Sequence, residues 1–441
     1  MAPLSRQRLG AALVLLAAVA AVGSLAVSAA TAPDLGTGAA NDTTTDRGRT
    51  LVGMQAEGRV ALLDANGTPV WRIDSEGVDY FDVTMLDNGS VLAGFIAGDQ
   101  DDCGRYESPC ARTGFRLIEP SPDPRVAGEW SFPVRSKRNS EVHDIEVLPS
   151  GEFLLTDMEY ERVLTVAPNG TITWQWNASR RYDAPPDPTR TDWLHINDVD
   201  RVGDGRYMVS VRNANQLLVI ERGEGVVEVV NEDENRADDE NCKGYRGFAD
   251  HDNDSDGDVL CGDPAMLDHQ HNPQSLGPGA VLVADSENDR AVELHENEGE
   301  WTIAWGIESA NAVGFDWPRD ADRLPNGNTL ITDTRNNRIV EVTPNGTTVW
   351  RADTGRWPYD AERLPYGEIT DDRLPRLNAT GDTLDRGGES VLPFVDRAYA
   401  GLSFVVSLPA WFQPWHIGVI AVAVVLAVIG GGLVWSGRRN R

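Results

Sequence analysis

Lysine is almost missing from this chain: of its 441 residues only Lys137 and Lys243 are lysine, while Asp and Glu number 69 and the formal charge is -30. That balance excludes a basic face for gripping phosphate backbones, so no nucleic acid partner is expected. The acid excess is spread along the whole chain. In molar salt the Debye length falls to about 3 Å, so such charge cannot steer a distant partner, and it reads as solvation in concentrated brine. Helical periodicity is missing between two uncharged runs at the chain ends, which excludes bundles and alternating α/β folds. Gly-rich phosphate-cradling motifs are absent too, so a nucleotide is not expected.

The two uncharged runs come first in the argument because they fix the compartment. Leu9 to Pro33 follows Arg6 and Arg8 and ends in small residues, the pattern of a secretory signal or of an uncleaved signal-anchor (residues 1–33). Residues 414–436 hold Trp415 and Trp435 near their ends and lead into an Arg-rich tail at 437–441, the pattern of a transmembrane helix with a cytoplasmic end. The expected location is the cell membrane, with the region between the runs extracellular and tethered through the C-terminal helix. Four cysteines in an exported domain favour disulfides. Local pairing, Cys103–Cys110 and Cys242–Cys261, is the simplest of three connectivities.

Within residues 51–370, after a linker at 34–50, a segment recurs: FDVTMLDNG from Phe81, HDIEVLPSG from His143, NDVDRVGDG from Asn197, HNPQSLGPG from His271, RDADRLPNG from Arg319 and YDAERLPYG from Tyr359. A turn and a hairpin ending in Trp follow most copies, as in VLTVAPNGTITWQWN. Each repeat thus holds about four short strands, one propeller blade. The first hairpin lacks the Gly segment and the last Gly segment lacks a hairpin. Joined, they make a sixth blade and close the ring without a free edge. The expected fold is all-β, a six-bladed β-propeller closed by N- and C-terminal strands, with a stalk at 371–413.

Two repeats carry insertions, residues 99–112 and 231–268. In the second, Asp252, Asp254, Asp256 and Asp258 alternate, Gly257 is sixth and Asp263 twelfth, the ligand spacing of an EF-hand loop with Asp for the final Glu. A structural calcium and a merely solvated acidic loop both fit this stretch.

Aligned on the Gly, the second column of the repeats is nearly constant: Asp82, Asp144, Asp198, Asn272, Asp320, Asp360. The column before it varies: Phe81, His143, Asn197, His271, Arg319, Tyr359. A constant column builds the fold; a column that exchanges histidine, arginine and aromatics builds a site where successive blades meet around the channel. His143, His195, His269, His271 and Arg319 fall at or beside it, with Arg212 at the end of the next strand. Arginine beside a metal is unfavourable, and no Cys or Glu ligand joins the column. Arginine with several imidazoles suits an oxyanion, and a neutral imidazole among them is a nucleophile.

On HDIEVLPSG, WLHINDVD followed by YMVSVRN, QHNPQSL and RDADRLPNGNTLITD, the stretch from about His143 to Asp333 resembles the bacterial arylsulfate sulfotransferases, here in a membrane-anchored form of haloarchaeal type. The resemblance implies an exported six-bladed propeller that moves a sulfuryl group from an aryl sulfate to a phenol, with no nucleotide donor and no cofactor required for catalysis. It implies His271 as the nucleophile that becomes a sulfohistidine, with His143, His195 and Arg212 holding the sulfate oxygens. His269 lies outside the family pattern and, with Arg319, is an accessory candidate. The competing reading is a non-enzymatic surface propeller that binds a ligand, glycan or protein.

Overall fold

The computed structural model describes residues 6–31, 48–182, 184–232, 261–311, 313–367, 369, 374–377 and 414–439, with single residues at 395, 398 and 402. The four Asp residues of the EF-hand-like stretch, and Cys242, lie outside the described residues. Among the described residues no cluster of three or more His, Cys, Asp or Glu is disposed to hold a metal ion.

Strands dominate one of two units. Six four-stranded antiparallel sheets form six blades, numbered in chain order from Val78. Their innermost strands are Val78–Met85, Ile145–Val147, Ile196–Gly203, His271–Ser275, Pro318–Arg323 and Pro358–Arg363. In the sixth blade Pro358–Arg363 pairs with Thr50–Met54, so both ends of the domain share one sheet, as the complementary half-repeats require. Each innermost strand contacts the next, and the last contacts the first.

The repeat signals have distinct physical jobs. The aligned glycines, Gly89, Gly151, Gly205, Gly279, Gly327 and Gly367, all sit at φ between 64° and 86°, the left-handed turn conformation in which a Cβ is costly. The constant acidic column stitches blade to blade. Asp144 Oδ2 accepts the N–H of Val199 at 2.6 Å, Asp320 Oδ2 that of Ala361 at 3.2 Å and Asp360 Oδ2 that of Val83 at 3.0 Å, each on the next innermost strand. Two residues on, Glu146, Gln274 and Glu362 repeat the device toward Arg201, Arg323 and Met85. Outer-strand tryptophans do the same at the rim: the indole N–H groups of Trp130, Trp305 and Trp350 donate to Gly170, Pro344 and Ala65 in the neighbouring blade's hairpin turn. Cys103 and Cys110 are bonded, and Cys261 is disulfide-bonded as well.

The other unit contains the two end helices, Arg6–Thr31 and Pro414–Arg439. Their segments Gln7–Ser28 and Trp415–Ser436 are long and apolar enough to cross a bilayer. The helices pack against each other at Gly10 and Gly430, where a Cβ on either residue would lie within 2.6 Å of the other's carbonyl oxygen. Farther along, His416 Nε2 lies 2.9 Å from Ser28 Oγ.

Candidate functional site

Three aligned positions per blade converge at one mouth of the channel. The first is the variable column read from the repeats. The second lies two residues earlier: Asp79, Glu141, His195, His269, Trp317 and Trp357. The third follows the second strand in five blades, at Met158, Arg212, Ser286, Thr334 and Gln55, and falls at Ile96 within the longer second strand of the first blade. Sequence reasoning found His195, His269 and Arg212 singly, without seeing that they belong to regular columns.

The second column is held in an unusual backbone conformation. His195, His269, Trp317 and Trp357 all have φ between 49° and 58°, uncommon for bulky residues and, for the two tryptophans, adopted directly before proline. A side chain of the preceding blade clamps each one. Glu161 Oε1 accepts the N–H of His195 at 2.7 Å, Asn215 Oδ1 that of His269 at 3.1 Å, Asp289 Oδ1 that of Trp317 at 2.8 Å and Asn337 Oδ1 that of Trp357 at 3.1 Å. The clamping residues are themselves left-handed, at φ between 49° and 55°. Glu161 reaches farthest, accepting also from Leu194 at 3.1 Å and Ile196 at 3.0 Å.

His271 is fully buried at the start of the fourth blade. Its Nδ1 lies 3.0 Å from the carbonyl oxygen of His269 and 2.8 Å from Ser286 Oγ. The Ser286 hydroxyl is committed as a donor to Pro318 O at 2.6 Å, so both neighbours of Nδ1 are acceptors. The proton of the neutral ring therefore sits on Nδ1, and Nε2 carries a bare lone pair. That Nε2 is buried and has no hydrogen-bond partner among the described residues. Burial, then the charges of Arg319 and Arg212, hold the His271 pKa well below the ordinary imidazole value, so the ring is neutral at pH 7.

The other predicted residues surround it. His143 is buried beside Phe81, with ring centroids 4.7 Å apart, and beside His195 and Tyr359 at 5.4 and 5.2 Å; its Nδ1 has no partner. Burial likewise keeps it neutral. His195 Nδ1 lies 2.7 Å from Asp192 Oδ1, which fixes that ring as Nδ1–H and leaves Nε2 available. Arg212 bonds the Asn213 side chain at 2.7 Å and lies 3.9 Å from Glu287, while its Nε has no partner. His269 pairs with Asp268 at 3.0 Å. Arg319 is buried against Trp317 and Tyr359, its guanidinium carbon 3.7 and 5.0 Å from the ring centres. Burial pushes the Glu141 carboxyl up to about 7, so an acid in the second column titrates near neutrality.

Below these columns the channel changes sign. A cavity there is lined by Asp82, Asp144, Asp198, Asp200, Asp320 and Asp360, among others. The mouth thus places two arginines and three neutral imidazoles above a belt of carboxylates. Electrostatically, that arrangement favours an anion on the cationic side and opposes its passage through the belt. Asp263, the one EF-hand-like position among the described residues, caps Ala265 N–H with its carboxylate at 2.8 Å.

Among solved structures, the chain resembles a protein of unknown function from Bacteroides caccae (15% identity, TM-score 0.47, 74% of this chain and 97% of that one). It also resembles virginiamycin B lyase from Staphylococcus aureus (12%, TM-score 0.39, 73% and 88%). A third is the periplasmic gluconolactonase of Pseudomonas aeruginosa (12%, TM-score 0.39, 74% and 99%). No curated protein matches the sequence. Residues 184–355, the stretch that carries His195, Arg212, His269, His271 and Arg319, match the sequence model of the arylsulfotransferase (ASST) family.

Proposed function

We propose that this chain transfers a sulfuryl group from an aryl sulfate to a phenol through a sulfohistidine at His271, with no nucleotide donor. One observation carries the reading: a fully buried imidazole whose Nδ1 is fixed as a donor and whose Nε2 is bare, facing a site rich in unpartnered cationic and imidazole nitrogen. His271 Nε2 attacks sulfur, the N–S bond forms, and the S–O bond to the aryl group breaks with its electron pair leaving on the phenolate. The phenolate leaves as the anion, its charge met by the Arg212 guanidinium, and takes its proton from solvent, because burial lowers the His195 pKa and leaves that ring neutral with no Nε2 proton to give. In the second half neutral His195, its Nδ1–H held by Asp192, takes the proton of the acceptor phenol on Nε2, and the phenol oxygen attacks sulfur as the N–S bond breaks. His195 then passes that proton to solvent, so both imidazoles return neutral and the cycle closes. Arg212 and His143 hold the non-bridging oxygens, the kind of donor whose loss costs on the order of 10²–10³ in rate.

The test is turnover of a chromogenic aryl sulfate by the purified protein in concentrated salt, with and without a phenol acceptor. Acceptor-dependent release of the chromophore is expected, and no release with any acceptor would sink the reading. The same assay reads the nucleophile's ionisation. With an activated leaving group that needs no proton, kcat/KM reports the free enzyme. Because the folded His271 pKa lies below 6.5, the neutral form persists as pH falls through that value. We expect kcat/KM to stay flat from pH 8 to about 6 and decline only below it; a decline centred near 6.5 would mean an ordinary imidazole.

We further propose that the end helices hold the propeller outside the cell, with the Arg-rich tail inside, as the positive-inside rule directs. Protease added to intact cells should then digest the propeller and leave a tag placed after Arg441 protected. Loss of the tag with the propeller left intact would reverse the orientation.

A further inference from the structure

Among the described residues Arg319 is a buried cation with no carboxylate in salt-bridge contact. Among the described residues its one hydrogen-bond partner is the neutral Gln55 Oε1 at 2.9 Å from a terminal guanidinium nitrogen, and its Nε is buried with no partner. A buried charge is ordinarily paired, because removing it from water costs several kcal/mol. Other buried arginines here obey that rule: Arg323 bonds Glu293 at 2.8 Å, Arg338 bonds Asp333 at 2.6 Å and Arg363 bonds Glu341 at 2.9 Å. Arg319 is instead stacked. Trp317 covers one face at 3.7 Å, and Arg335, itself 3.5 Å from Asp316, also lies over that indole at 4.1 Å. Tyr359 lies 5.0 Å away and stacks in turn on His143. The ladder holds the guanidinium by contact with rings, and apart from the bond to Gln55 it commits no N–H among the described residues. The buried indole N–H of Trp317 and the buried hydroxyl of Tyr359 beside it also have no partner.

We propose that Arg319 is a direct ligand of the sulfuryl oxygens, a second arginine opposite Arg212, held in register by the Trp317 stack. The proposal deepens the sulfuryl-transfer reading and rests on it for the identity of the anion. Its physical core is separable: an oxyanion is the missing counter-ion. Arg319 acts on the neighbouring imidazoles accordingly, since after burial its charge is the largest influence lowering the His271 pKa. Burial also pulls the guanidinium itself down to about 9, the strain of an unpaired charge that a bound anion relieves.

The test uses inorganic sulfate as probe, titrated into the whole protein in potassium chloride at fixed ionic strength, with thermal melting alongside. Wild type should bind sulfate and melt higher with it. Arg319→Met, which keeps a stem over the indole and removes the charge, should melt several degrees higher than wild type without sulfate. It should bind sulfate at least tenfold more weakly and lower kcat/KM toward an aryl sulfate by about 10²-fold. A residue retained for packing would do the reverse, so a lower melting temperature with unchanged sulfate affinity overturns the proposal. Sulfate affinity decides mixed results, and Arg319→Gln answers the same question if Arg319→Met does not fold. Failure of sulfuryl transfer in wild type would sink the proposed reaction while leaving sulfate binding by Arg319 standing. Sulfate binding that ignores Arg319 would sink this inference while leaving the reaction standing.

Discussion

His271→Ala should abolish sulfuryl transfer, lowering turnover by on the order of 10⁶-fold, the scale seen when a covalent enzyme loses its nucleophile. The fold should survive, because the His271 side chain hydrogen-bonds only within its own blade, to one carbonyl and one hydroxyl, and meets the next blades through edge contacts with Trp317 and Tyr359 at ring-centroid distances of 6.3 and 6.1 Å. Truncation leaves Ser286 still bonded to Pro318 and the His269 carbonyl facing a small cavity. His269→Ala is the matched control: its ring pairs with Asp268 at the mouth, and its loss should matter far less. Melting temperature separates the two explanations for an inactive protein. An inactive His271→Ala that melts like wild type points to chemistry, and one that is unfolded says nothing about the nucleophile.

Glu161→Ala should have the largest effect on stability. The carboxylate accepts three consecutive backbone N–H groups, those of Leu194, His195 and Ile196, across a blade boundary. Each buried N–H left unpaired costs about 1–3 kcal/mol, so the variant should lose roughly 3 kcal/mol or more. It should also lose most of its turnover. His195 sits at φ 56°, a conformation held by that clamp, and without it the Asp192–His195 pair loses its register with His143. Glu161→Gln, which keeps one acceptor oxygen, should fall between. Urea midpoints and kcat measured on the same preparations check this; a Glu161→Ala protein equal to wild type in both would show that the clamp is dispensable.

The columns explain what could be read from the chain and what could not. The variable column was legible because its members share an offset from a turn Gly, and local backbone chemistry repeats in sequence wherever it repeats in space. His143, His271 and Arg319 were found that way, and so was the closure of the sixth blade. The second-strand column was read only at Arg212, because Ser286, Thr334 and Gln55 are ordinary polar residues until the turn after each second strand is aligned. Trp317 and Trp357, each directly before proline, carry no mark of the site in the sequence; their shared left-handed backbone is clamped by Asp289 and Asn337 in the preceding blade. Glu161 and Asp192 were missed because their work is done across a blade boundary or inside a loop, where sequence spacing carries no signal. A trace existed: the clamp column reads Gly58, Glu161, Asn215, Asp289, Asn337, and Gly, Asn and Asp are the residues that favour φ above zero. Glu161 is the exception in that series, placed where the site takes its histidine from the neighbouring blade.

The most direct measurement is mass spectrometry of the protein after brief exposure to an aryl sulfate without acceptor, followed by digestion at alkaline pH to spare the N–S bond. The account predicts a sulfuryl adduct of one SO₃ on the peptide carrying QHNPQSL, assigned by fragmentation to His271 and removed when a phenol is added. An adduct on His269, or turnover with no adduct on either histidine, would contradict it.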